Sequence, residues 1–123
     1  MTKAEFGIIV QHVQTQMESV LESAGKEYAA EDNVFANFER SATDLNLERD
    51  EILWVYAMKH RDGIASYLRG HRSQREDVRG RIIDLINYLT LLYAMVEEVS
   101  LTATVATPDD SLEGGVVYTK GTR

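Results

Sequence analysis

The chain predicts an all-α fold: a small helical bundle of three long helices and one short helix, with a β-leaning or flexible C-terminal extension. Apolar residues recur at spacings of three and four in three long segments. Capping and turn residues fall between those segments, and strand-like composition is confined to the C-terminal end. With 123 residues the chain is one domain, large enough for a core and too small for two. The helical domain is expected over residues 1–99 and the extension over residues 100–123.

Thr2 with Glu5 three residues later has the form of a capping box. Phe6, Ile9, Val10, Val13, Met17, Val20, Leu21 and Ala24 then form one stripe, and Gly25 is expected to stop the first helix. Asn33 is placed to cap a short helix from Val34 to about Thr43, anchored by Phe35 and Phe38. Asn46 is expected to open the third helix, whose first turn is acidic (Glu48, Asp50, Glu51), as the helix dipole favours. That helix runs to about Arg69 with Gly63 as a weak point, and Gly70 ends it. Ser73 with Glu76 forms a second capping box, opening a last helix from about Gln74 to Val99. Beyond it, Leu101–Val105 and Val116–Thr119 lean towards strand, separated by Pro108-Asp109-Asp110 and Gly114-Gly115. They predict either a docked hairpin or a flexible tail, in which Tyr118, Lys120 and Arg123 could form an arm over a ligand.

Net charge is −7, which disfavours duplex nucleic acid as a partner, because that binding needs a basic footprint. The basic residues nevertheless gather between Lys59 and Arg81. Absence of cysteine removes disulfides, thiolate metal sites and cysteine nucleophiles. The start of the chain lacks the form of a signal peptide, and the longest apolar run falls short of the roughly 20 residues a bilayer span requires. A soluble, cytoplasmic protein with no membrane partner is expected.

The last helix is the most informative. From Ile82 to Val96 it is apolar on nearly every side, the pattern of a buried helix. Yet Asp77, Arg81, Asp84, Asn87 and Tyr88 recur at helical spacing and share a face. An isolated carboxylate buried there would cost several kcal/mol, on the order of the desolvation penalty of an ion, so the stripe implies a partner, a ligand or a wet cleft. The third helix faces it with Lys59 and His60 on or beside its apolar side and Asp62 on the flank. Each residue also has a plain structural role open to it. His60 could be a satisfied core histidine, Lys59 a snorkelling stem, Asp84 half of a buried ion pair, Asn87 a backbone bridge, and Tyr88 core packing. The chain has no glycine-rich phosphate loop, no nucleophile elbow, and no metal-ligand spacing among His12, His60 and His71.

Three segments, Tyr28…Glu31-Asp32-Asn33-Val34-Phe35-Ala36-Asn37-Phe38, then Trp54-Val55-Tyr56-Ala57-Met58-Lys59-His60, then Gly80-Arg81-Ile82-Ile83-Asp84-Leu85-Ile86-Asn87-Tyr88, occur in an order that resembles a phage and prophage family. That family is the nucleotide modification associated domain, formerly a domain of unknown function, and the likeness covers roughly residues 5 to 99. It implies a nucleotide-related role. A wider likeness is to the MazG-like all-alpha NTP pyrophosphatases, where carboxylates of facing helices hold Mg²⁺ on a triphosphate. Asp84 stands at the position of that family's Asp. Arg81 stands where a Glu is expected, which removes a metal ligand and adds a phosphate-binding cation.

The expected function is therefore binding of a phosphorylated nucleotide or related small anionic metabolite in a polar cleft between the third and fourth helices. Arg81 and Lys59 would contact phosphate, Asp84 and Asn87 would read a base edge or ribose hydroxyl, His60 would hold Asp84, and Tyr88 would stack on a base. No cofactor is expected. A phage origin would leave two uses, nucleotide metabolism during DNA modification or sequestration of a host nucleotide signal. One rival is Mg²⁺-dependent pyrophosphohydrolysis with Asp62 and Asp84 as metal ligands. Another is a non-enzymatic assembly protein. A stripe from Phe6 to Ala24, about 28 Å long at the rise of a helix, also predicts a homo-oligomer.

Overall fold

The computed structural model describes residues 1–27, 32–73 and 75–106. It is all-helical, with α1 over Lys3–Glu27, α2 over Ala36–Leu45, α3 over Arg49–Leu68 and α4 over Val78–Ala106. No strand occurs among the described residues. The C-terminal hairpin or tail, with Tyr118, Lys120 and Arg123, lies outside them.

The capping box that opens α1 is reciprocal. Thr2 N–H donates to Glu5 Oε2 at 2.8 Å, and Glu5 N–H donates to Thr2 Oγ1 at 3.1 Å. Gly25 does not stop the helix, which continues to Glu27. A helical glycine costs about 1 kcal/mol relative to alanine, too little to end an established helix.

Asn33 does act at the start of α2, two residues ahead of the N-cap Phe35. Its Oδ1 accepts the Phe35 N–H at 3.0 Å, and its Nδ2 donates to Glu39 Oε1 at 2.7 Å. The short helix consequently begins at Ala36, two residues later than expected. Asn46 closes α2 instead of opening α3. It sits in the left-handed region at φ 55°, a conformation asparagine tolerates better than other non-glycine residues. The opening of α3 falls to Glu48, whose N–H donates to Glu51 Oε1 at 3.1 Å. Gly70 ends α3 at φ 111°, as its freedom from a Cβ permits.

The Ser73–Glu76 box does not open α4. Asp77 does: its Oδ1 accepts the Arg79 N–H at 2.8 Å, and α4 starts at Val78. At its other end α4 passes Val99 and continues to Ala106, through residues read as β-leaning. β-Branched side chains lower helix propensity only slightly, by about 0.5 kcal/mol each, and extending a helix is far easier than starting one.

α3 packs on α4, α2 packs on α3, and α1 rests on α4. The core lies among α2, α3 and α4: Phe35, Phe38 and Ala42 meet Ile52, Leu53 and Met95, with Tyr88, Leu91 and Leu92 packed around them. Arg49 fastens its edge. It lies 4.7 Å from the Phe35 ring centroid, 3.0 Å from Glu98 Oε1 and 3.8 Å from Glu39 Oε1, tying three helices together.

Burial of α4 on all sides is not observed within one chain. Ile82, Leu89, Tyr93 and Val96 are exposed, because only one side of the helix has neighbours. The first half of α1 is barer still: Phe6 is 59% exposed and Ile8 is 68% exposed.

Candidate functional site

A cleft of about 630 Å³ opens between α1, the start of α2, α3 and α4. It falls within the size range of small-molecule sites. Val20, Leu21 and Ala24 of α1 form one wall, Asn33, Val34, Asn37 and Phe38 another, and His60, Asp84, Asn87, Tyr88 and Leu91 the third. The expected position between the third and fourth helices is thus too narrow, since α1, α2 and the turn before α2 supply more than half of the lining.

Four of the predicted site residues come together here. Helical spacing puts Asp84, Asn87 and Tyr88 on one side of α4, and His60 reaches them from α3. His60 is 8% exposed and its ring stacks on Tyr88, with centroids 5.5 Å apart and planes 29° apart. Its Nδ1 is 3.6 Å from Asp84 Oδ2, close enough for Coulombic attraction but too long for a hydrogen bond. Asn87 is 5% exposed and its Nδ2 donates a long bond, 3.4 Å, to the Met17 carbonyl of α1. Asn87 Oδ1 and His60 Nδ1 are buried with no hydrogen-bond partner among the described residues. A buried polar atom left in that state costs about 1–3 kcal/mol.

Tyr88 is the hinge of the aromatic wall. It meets Phe38 edge-on, with centroids 6.4 Å apart, while its other side carries His60. Burial pushes its phenol above the ordinary value, and the nearby Asp84 carboxylate and Tyr56 push in the same direction. The phenol therefore stays protonated and neutral near pH 7.

Three predicted residues stand apart from the lining. Lys59 is exposed on α3. Asp62 is also exposed and pairs with Arg61, Nη2 to Oδ1, at 3.1 Å. Arg81 is folded down against α3 instead of facing the cleft: a Cβ built on Gly63 would lie 2.7 Å from its Cζ. Its Nη1 is 3.9 Å from Glu76 Oε2, and its Nε is buried without a hydrogen-bond partner among the described residues. Neither Asp84 nor Asp62 forms an ion pair with Arg81 or Lys59 among the described residues.

The residues do not fit a magnesium site. Among the described residues no three His, Cys, Asp or Glu side chains converge to hold a metal ion. Asp84 is the sole carboxylate among the residues lining the cleft, whereas Mg²⁺ asks for a near-octahedral oxygen shell.

Sequence reasoning missed the α1 wall and the Asn33–Asn37 wall. One signal was present: Asn33 and Asn37 are four residues apart beside Phe38, so a helical start brings both amides to one side. Among the described residues, no helix is long and apolar enough to cross a membrane. Comparison with protein-family models, with curated proteins and with solved structures finds no match to this chain.

Proposed function

We propose that the cleft binds the base of a phosphorylated nucleotide, or a closely related heteroaromatic anion, without transforming it. One observation carries this reading. Two buried polar atoms, Asn87 Oδ1 and His60 Nδ1, stand without hydrogen-bond partners among the described residues at an otherwise mostly apolar, aromatic-walled cleft. A planar ring with polar edges matches both features: its faces suit Phe38, Tyr88 and Leu91, and its edge suits Asp84 and Asn87. The likeness of the Lys59-His60 and Asp84-x-x-Asn87-Tyr88 segments to the phage nucleotide modification associated domain points the same way. A role in the cytoplasm of an infected host, in nucleotide metabolism or in sequestering a nucleotide signal, accords with it.

The phosphate end is assigned to the basic end of the bundle. Lys59 neighbours His60 in α3, and Arg69, Arg72, Arg75 and Arg79 surround the α3–α4 connection and are all exposed. From Asp84 back to Val78 is six residues of helix, about 9 Å, a distance a di- or triphosphate spans. Arg81 serves this reading as a clasp between α3 and α4 instead of a direct ligand.

The test is a thermal-shift panel of nucleoside mono-, di- and triphosphates and cyclic nucleotides, with and without Mg²⁺. Stabilisation that survives chelator, with no pyrophosphate released, is the expected result. No shift with any nucleotide overturns the proposal, and chelator-sensitive pyrophosphate release would move it to the pyrophosphohydrolase.

Self-association is the second reading, favoured by the uncovered stripe of α1 and the exposed Leu89, Tyr93 and Val96 of α4. Patches of this kind on a small soluble chain mark interaction sites. A second copy is the partner proposed for them.

A further inference from the structure

The hydrogen-bonding polarity of the cleft wall points to one kind of base. We infer that the cleft selects guanine, through the donor-seeking carboxylate of Asp84; the inference rests on the nucleotide reading above and specifies its ligand.

Asn87 donates one of its two Nδ2 hydrogens to the Met17 carbonyl at 3.4 Å. A carbonyl only accepts, so the amide is oriented with Nδ2 towards Met17, and Oδ1 is buried without a hydrogen-bond partner among the described residues. Asp84, one turn earlier on the same face, presents a carboxylate, which when ionised only accepts. Asn33 is committed in part: its Oδ1 accepts from Phe35 N–H and one of its two Nδ2 hydrogens goes to Glu39. On the α4 side of the cleft the partly exposed Asp84 carboxylate is therefore the acceptor open to a ligand. Asn37, on the opposite wall, adds one amide with both a donor and an acceptor.

A carboxylate in that place discriminates among the bases. Guanine carries two adjacent donors on one edge, N1–H and the exocyclic N2 amine, which a carboxylate accepts side by side. Adenine and cytosine alternate a donor with a ring-nitrogen lone pair on that edge, and the lone pair would face the Asp84 oxygens. Uracil and thymine place one N–H between two carbonyls, both repelled by the same carboxylate. Guanine's remaining acceptor, O6, would meet the amide donor of Asn37.

The experiment is binding of GMP, IMP, AMP, CMP, UMP and XMP to the full chain, followed by calorimetry on D84N. GMP is expected to bind tightest. IMP, which lacks the 2-amino group, should bind at least tenfold more weakly, equivalent to about 1.4 kcal/mol. D84N should weaken GMP and strengthen XMP, because an amide accepts N1–H while donating to the C2 carbonyl of xanthine. AMP binding as tightly as GMP overturns the inference while leaving the nucleotide reading in place. Equal loss of GMP and XMP in D84N overturns Asp84 as the reading group. Failure of every nucleotide removes both. Should D84N not fold, as judged by circular dichroism, the panel on the parent chain decides between guanine and the other bases alone.

Discussion

Arg81 of α4 lies across Gly63 of α3, so closely that a Cβ on Gly63 would come within 2.7 Å of the guanidinium carbon. The glycine is a seat for the arginine, not merely a weak point in the helix. Replacing an exposed helical glycine by alanine ordinarily stabilises by about 1 kcal/mol. Here Gly63→Ala must displace the guanidinium end of the Arg81 side chain, so the variant is expected to fall short of that stabilisation. In an Arg81→Ala background the same change should regain the ordinary stabilisation. Urea unfolding of the four chains measures the coupling; additive effects would show that the seat carries no energy.

Asp84→Ala separates recognition from stability. The side chain is about one-third exposed, and its nearest ionic neighbour, His60 Nδ1, is 3.6 Å away. A partly exposed pair of that length contributes at most about 1 kcal/mol. The variant should therefore keep its fold, lose less than that in unfolding free energy, and lose nucleotide-induced stabilisation. A loss of about 3–5 kcal/mol would instead mark a buried ion pair.

Much of the bundle was legible in the residues. Period-3.6 apolar spacing located the three long helices, Asn33 with Phe35 and Phe38 located the short one, and the Thr2–Glu5 box and the Gly70 stop are local effects that one or two side chains decide. Boundaries failed where two local signals compete. Asn46 suits both a helix start and a left-handed helix end, and the chain uses it as the second. Ser73 and Asp77 both suit an N-cap, and Asp77 takes the position. His60, Asp84, Asn87 and Tyr88 could be grouped because they share two facing helices. The α1 wall could not, because which helix lies over α4 depends on tertiary packing. Arg81 was misdirected for a related reason: its position on the polar stripe is right, but a glycine across the gap draws its side chain down onto α3.

The alkaline limit of stability should carry a signature of Tyr88. Burial holds its phenol pKa above the ordinary value near 10, helped by Asp84 and Tyr56. The folded state thus binds the proton more tightly than the unfolded state. The contribution is intact below about pH 10 and is lost as pH rises through the higher folded-state value. Tyr88→Phe removes this titration. The difference in unfolding free energy between parent and variant should be constant from pH 7 to 9 and move against the parent above pH 10. A difference that stays flat through that window would show that the phenol is not held in a buried site.

The first helix makes the clearest claim about assembly. Phe6, Val10, Val13 and Met17 follow alternating steps of four and three, the seam of a left-handed coiled coil, ahead of the residues that wall the cleft. Within one chain α1 rests on α4, and Phe6, Val10 and Val20 remain exposed. Residues 6–17 contain no Asp, Glu, Lys or Arg, so two copies could approach there without like-charge repulsion. The chain is expected to be at least a dimer by light scattering at micromolar concentration. A Phe6→Asp, Val10→Asp double variant places two carboxylates on the seam, far from Phe38, Leu53 and the rest of the core. It should weaken association at least tenfold, about 1.4 kcal/mol, with the helical circular dichroism of the parent retained. A monomeric parent would refute the seam outright. A variant still dimeric would move the contact to the exposed Leu89, Tyr93 and Val96 of α4.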